Sequence, residues 1–149
     1  MSHYYLPYVR HQAKDGITLT ARNAKGKIIT SGAGETMEEA LEDLKAFVCE
    51  VMTGHAENGK NPLSILHYGR LPEDALLLEH ASIFPVILRW LRCSMGLTQA
   101  EAASRLGIQQ PSYAKYEQLG VNPSLELILK IEMALDVSIL ELLTGAKAA

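Results

Sequence analysis

Gln99, Gln109, Gln110, Ser112 and Lys115 are side chains of the kinds that read base edges and hold phosphates, and they fall close together in the chain. Glutamine ends in one donor group and one acceptor, so it can pair bidentately with adenine in the major groove, while lysine and serine suit phosphates or base edges. That chemistry needs a rigid, exposed platform, and the residues around it describe one. Thr98 and Glu101 form a Thr-x-x-Glu capping box that predicts a short helix over 99–106. Gly107 ends it, because glycine enters the left-handed region without steric cost, and a second helix from about Gln110 can then leave at a steep angle. Pro111 fits the first turn of that second helix. Small Ala103 lets the two helices approach, and Leu106, Ile108, Tyr113 and Tyr116 supply apolar contacts that lock the angle. Gln110 is the leading base-reading candidate and Gln109 the second. The bland alternative is a helical bundle with solvated glutamines. A glutamine pair alone would not decide, but here it opens a helix preceded by the correct turn.

Leu97-Thr98-Gln99, Ala103, Leu106-Gly107-Ile108, Glu117, Asn122-Pro123-Ser124-Leu125 and Ala134-Leu135-x-Val137-Ser138 together resemble the XRE (lambda-repressor-like) helix-turn-helix family over roughly residues 83–143. Two positions depart from its pattern. Tyr113 stands where the family usually has a smaller aliphatic residue, and Leu119-Gly120 replaces Asn-Gly. The resemblance implies that Gln99 anchors a phosphate from its helix start, in keeping with the affinity of helix N-termini for anions. It also implies a DNA-facing surface of Gln109, Gln110, Pro111, Ser112 and Lys115. Upstream, Ser82 is expected to cap a helix with Pro85 in its first turn and with Ile83, Val86, Ile87, Trp90 and Leu91 as its apolar stripe, ended by Gly96. Downstream, Ser138 and Glu141 form a further capping box. Ile139, Leu140, Leu142 and Leu143 would make a last helix with more apolar surface than one small domain needs, which points to a homodimer.

The chain of 149 residues can hold two small domains or one of medium size. It has no apolar run long enough for a transmembrane helix and no signal pattern, so a soluble cytoplasmic protein is expected, with no membrane partner. Cys49 and Cys93 lie in predicted helices without ligand spacing and are expected to be reduced packing residues. Charge matters more. The net formal charge is −3, and residues 82–149 are neutral, with Arg89, Arg92, Arg105, Lys115, Lys130 and Lys147 balanced by Glu101, Glu117, Glu126, Glu132, Asp136 and Glu141. Phosphate neutralisation by one subunit is therefore modest, and useful occupancy calls for a dimer on two half-sites.

The first 81 residues carry the whole negative balance and have a different character. Residues 3–11 read as a strand rich in aromatic and β-branched types, with Pro7 marking an edge or a bulge. Ile17, Leu19 and Ala21 alternate with Thr18, Thr20 and Arg22, the pattern of a half-buried strand over 17–22. Lys27–Thr30 would add a third strand, and Gly32 and Gly34 are expected to be turn glycines. Thr36 and Glu39 form another capping box, opening a helix to about Met52. Its inward face would be Met37, Ala40, Leu41, Leu44, Phe47, Val48 and Val51, and its acidic side Glu38, Glu42, Asp43 and Glu50. Residues 54–74 read as a loop, and 75–80 as a buried strand.

The expected fold class is thus α+β. A β-β-β-α-β domain over 1–81 precedes an all-α, five-helix DNA-binding domain over 82–149. This order resembles the HicB antitoxin family, most specifically in Gly34-Glu35-Thr36-Met37-Glu38-Glu39-Ala40-Leu41, and implies a partial RNase-H-like fold for the first domain. The resemblance further implies a small, basic HicA-like ribonuclease toxin as partner and repression of the chain's own operon. One departure is that Ala21-Arg22-Asn23-Ala24-Lys25-Gly26 occupies the place of the family's aromatic, Pro- and Gly-containing segment. The alternative is an XRE regulator whose first domain serves oligomerisation or ligand sensing. Catalysis is not expected, since a two-metal nuclease needs three or four converging carboxylates and the first three strands contain none. The five histidines lack ligand spacing, so neither a metal nor a cofactor is expected. Arg10, Lys14, Arg22, Lys25 and Lys27 gather in the hairpins, where solvation is the default.

Overall fold

Strand β1 (His3–Ala13) changes partners partway along, and the sheet is organised around that change. In the computed structural model, which describes residues 1–145, its second half pairs antiparallel with β2 (Gly16–Arg22), from Tyr8 opposite Ala21 to Ala13 opposite Gly16. Its first half pairs with β4 (His67–Gly69) and β5 (Ala75–Leu78), with Tyr4 opposite both Tyr68 and Leu78. β3 (Ile28–Gly34) lies on the far side of β2. Pro7 therefore stands on a central strand, not on an edge or at a bulge. It sits where the pairing with β5 ends and that with β2 begins, a handover at which a missing backbone donor is tolerated. The one register shift in the β2/β3 ladder lies at Ala21/Arg22.

β3 runs four residues beyond the expected end, and its glycines are not turn glycines. A Cβ on Gly32 would overlap the backbone of Leu44, and one on Gly34 would strike Glu39 and Ala40. Both residues are bare so that helix α1 (Met37–Glu57) can lie directly on the strand. The helix begins at the expected capping box. Thr36 Oγ1 accepts from the Glu39 amide at 3.2 Å, and the Glu39 carboxylate accepts from the amides of Thr36 and Glu35. Ala40, Leu44, Val48, Cys49 and Met52 form its buried face, whereas Phe47, expected inside, is 41% exposed.

The expected loop over 54–74 contains the last turn of α1, a short 3₁₀ turn over Pro62–Ile65 and β4. The strand order is accordingly β-β-β-α-β-β, one strand more than the sequence suggests. Contacts divide the chain into two compact units. One comprises Met1–Met52 with Leu63–Leu78, and the other Thr53–Pro62 with the chain from Glu79 onward. No helix among the described residues is long and apolar enough to cross a membrane.

The second unit contains helices α2 (His80–Ser94), α3 (Gln99–Leu106), α4 (Gln110–Tyr116), α5 (Leu125–Leu135) and α6 (Leu140–Leu143). Ser82 does not cap α2. The helix starts earlier, with the Glu79 carbonyl accepting from the amides of Ser82 and Ile83, and the run Ser82–Leu88 is buried on every side. Pro85 consequently falls inside the helix and not in its first turn. It leaves the Ala81 carbonyl without its helical donor, and the amide of Gly120 fills that place at 2.9 Å. The connection after α4 is thereby tied to α2.

Ser138 likewise caps nothing. Ile139 occupies the position before α6 without a side-chain cap, and its amide reaches back to Glu132. Ile139, Leu142 and Leu143 are buried within the structure and only Leu140 is exposed, so α6 does not offer the surplus apolar surface expected of it. Lys147 lies outside the described residues.

Candidate nucleic-acid interface

The two helices that carry the candidate residues are built as their sequences dictate. Thr98 adopts extended backbone and its hydroxyl accepts from the Glu101 amide at 3.1 Å. Gly107 ends α3 at φ 70°, ψ 30°, the left-handed conformation that only glycine takes freely. The amide of Ile108 closes back on the Ala103 carbonyl, and Gln109 in extended backbone restarts the chain as α4, with Pro111 in its first turn. Ala102, Ala103, Leu106 and Tyr113 are buried. Gln109, Gln110, Pro111, Ser112 and Lys115 are exposed together along the start and outer side of α4, and Gln99 is half-buried beneath them.

Beneath this surface lies a polar network centred on Glu117, whose side chain is 0% exposed. Arg92 from α2 donates to both of its oxygens, Nε to Oε1 at 2.5 Å and Nη2 to Oε2 at 3.0 Å, and its Nη1 holds the Leu97 carbonyl at 2.9 Å. The Tyr113 hydroxyl donates to Oε1 at 2.9 Å, and Arg89 Nε lies 3.5 Å from Oε2. Gln99 Nε2 also donates to Oε2, at 3.1 Å. Finally, Gln110 Nε2 donates to Gln99 Oε1 at 3.0 Å.

Burial alone would push the Glu117 carboxyl up, but the hydrogen bonds from Arg92, Gln99 and Tyr113 and the Arg92 charge hold it below the ordinary glutamate range. It is therefore ionised at neutral pH. Tyr113 is pushed up, by burial and by the neighbouring carboxylate, and stays a neutral donor. Arg92 is pushed up chiefly by its hydrogen bonds to Glu117.

An ionised carboxylate only accepts hydrogen bonds, and this dictates the rest of the chain of contacts. Gln99 must turn its amide nitrogen toward Glu117, which leaves its oxygen for Gln110. Gln110 must then use its own amide nitrogen on Gln99. What remains free on Gln110 is one N–H and the carbonyl oxygen, the pair that adenine's N7 and N6 amino group require in the major groove.

Of the residues singled out from sequence, Gln99 and Gln110 are brought into direct contact. Gln109, Ser112 and Lys115 share their exposed surface without joining the network. Glu117 and Arg92, which organise the site, were visible in the sequence only as a family-pattern match and as one of six cations. A further signal in the sequence is that Glu117 follows Tyr113 by four residues, which puts both on one helical side.

In the first unit, Asp15 and Glu35 line one open groove with Gly16, Ile17, Thr18, Ala33 and Gly34. Among the described residues no group of three or more His, Cys, Asp or Glu side chains is placed to hold a metal ion.

Residues 88–142 match the family model described as Helix-turn-helix. No curated protein matches the chain. The matched span runs from within α2 to within α6 and includes the whole α3-turn-α4 platform and its Arg92–Glu117 anchor. Residues 88–142 are an XRE-type helix-turn-helix domain, which supports DNA binding through the α3-turn-α4 platform.

Proposed function

We propose that the chain is a repressor of its own operon that binds the operator as a homodimer, with Gln110 reading an adenine and Gln99, Gln109, Pro111, Ser112 and Lys115 completing the contact surface. The observation that carries this reading is the chain of bonds from Glu117 through Gln99 to Gln110, which sets the orientation of an exposed amide before any DNA arrives. Preorganisation of this kind favours discrimination, because the wrong base meets an amide that cannot turn without breaking its bond to Gln99, whose own amide is held by Glu117. Replacing Gln110 by alanine is expected to cost about 1 to 3 kcal/mol at the cognate site and to relax preference at one base pair. An unchanged gel shift with cognate and single-substituted duplexes removes Gln110 as a reader.

The first unit supports a finer proposal, that the protein is also the antitoxin of a HicA/HicB-like pair. What favours it is the segment Gly34–Leu41, where β3 passes into α1 through the capping box, together with the position of a mixed sheet-and-helix unit before the DNA-binding domain. Co-expression with the adjacent small open reading frame tests it. A stable complex and rescued growth support the antitoxin. Absence of both leaves the first unit as an oligomerisation or ligand-sensing module. No catalysis is assigned to the chain. Magnesium-dependent RNA cleavage abolished by changing Asp15 or Glu35 would contradict that assignment.

A further inference from the structure

Helix α5 turns Ile128, Ile131 and Leu135 inward, yet its opposite side is not polar. Leu125, Leu129 and Met133, spaced four residues apart, are 59%, 48% and 86% exposed. Single exposed apolar residues need no explanation, but three in a row along about 12 Å of one helix form a continuous stripe. Glu126 and Lys130, both exposed, run beside the stripe along one flank. Among the described residues neither makes an ion pair within the chain.

We infer that this stripe is the contact between two copies of the chain, with their α5 helices packed antiparallel about a two-fold axis perpendicular to them. The inference rests on the repressor reading, since it names the surface of the homodimer proposed there. Two observations select a second copy as the occupant. The first is charge. In an antiparallel two-fold pair a flank faces itself in reverse, so Glu126 of each copy meets Lys130 of the other, while Leu125 meets Met133 and Leu129 meets its own copy. The second is the shortage of free cations. Arg92 is committed to Glu117, and Arg89 to Glu57 and Glu117, so fewer positive charges face outward than the neutral count over 82–149 suggests. One subunit cannot neutralise many phosphates, and a second half-site supplies the missing affinity. Three side chains form a small interface, so the free dimer is weak, on the order of micromolar, and DNA tightens it.

Sedimentation of the full chain across the micromolar range tests this. The wild type is expected to show a monomer–dimer equilibrium, and Leu129→Glu to weaken it at least about tenfold. Glu126→Lys and Lys130→Glu should each weaken self-association. An equimolar mixture of the two should form heterodimers, and the double swap should restore the homodimer. A wild type that stays monomeric overturns the inference, as does a dimer indifferent to Leu129→Glu and to both swaps. Slow thiol labelling of Met133→Cys in a monomeric chain would assign the stripe to another part of the same molecule and also overturns it. Gel shifts run in parallel separate the two readings. Operator binding with an insensitive dimer sinks only the stripe, whereas the expected swap pattern without operator binding sinks only the repressor.

Discussion

Glu117 is the residue at which stability and base choice can be separated by experiment. Its side chain is fully buried and receives hydrogen bonds from Arg92, Tyr113 and Gln99. Truncation to alanine leaves a guanidinium that is 13% exposed without its counter-charge and a buried hydroxyl without an acceptor. Breaking a buried pair by removing one partner costs about 3 to 5 kcal/mol, a large part of the roughly 5 to 15 kcal/mol that holds a domain together. The Arg89–Glu57 pair is the internal control. It is comparably short at 2.7 Å, but Glu57 is 56% exposed, so Glu57→Ala should cost no more than about 1 kcal/mol. Burial, not distance, separates the two. The assay is urea unfolding followed by fluorescence of Trp90, the only tryptophan, which lies in α2.

The combined replacement Arg92→Met, Tyr113→Phe and Glu117→Leu removes every deeply buried polar member at once and should recover most of the lost stability. It should not recover base discrimination, because Gln99 no longer has an acceptor to orient it. A loss of about 1 to 3 kcal/mol of preference at the Gln110 base pair should therefore persist in a well-folded protein. The carboxyl's depressed pKa adds a pH signature. Its contribution to stability is complete above the ordinary glutamate value and is lost as pH falls through the lower folded value, so the wild type should lose stability below about pH 4 more steeply than the triple variant. A Glu117→Ala variant that loses no more stability than Glu57→Ala, or a triple variant that reads its operator as the wild type does, refutes this role of Glu117.

Three further outcomes concern other residues. Gly32→Ala should destabilise the first unit by about 1 to 3 kcal/mol in thermal melts, because the added carbon meets the backbone of α1, whereas Gly54→Ala on open helix surface should stabilise by roughly 0.5 to 1 kcal/mol. Lys115→Ala should weaken DNA binding almost uniformly across sequences and reduce the slope of log affinity against log salt by about one, measured by gel shift between low and moderate salt.

The elements legible in the sequence are those fixed by their own neighbours. Thr98 and Thr36 each accept from an amide three residues on, and Gly107 takes the conformation its residue type allows, so α3, α4 and the start of α1 stand where short-range chemistry puts them. The elements that escaped are set from a distance. β4 is three residues long and exists because His67–Gly69 meets His3–Tyr5 across more than sixty positions. Gly32 looks like a turn glycine until the path of Leu44 is known. Ser138 carries a cap motif, but burial of Ile139 and its amide bond to Glu132 override it. Pro85 sits in a helix interior because Gly120, from a different connection, supplies the donor its neighbourhood lacks.

The same division explains why the two adjacent glutamines are not equivalent. Both stand at the start of α4, both are exposed, and by residue type both can pair with adenine. Gln109 makes no cap hydrogen bond and leaves the buried network untouched, so its amide can present either end to a base or a phosphate. Gln110 is held through Gln99 by a carboxylate that no base ever touches. An amide free to turn accommodates either a donor or an acceptor, whereas one whose orientation is preset rejects half of them. Sequence discrimination should therefore concentrate on Gln110 and tolerance on Gln109, a difference that originates in α2 and at the end of α4, where Arg92 and Glu117 meet.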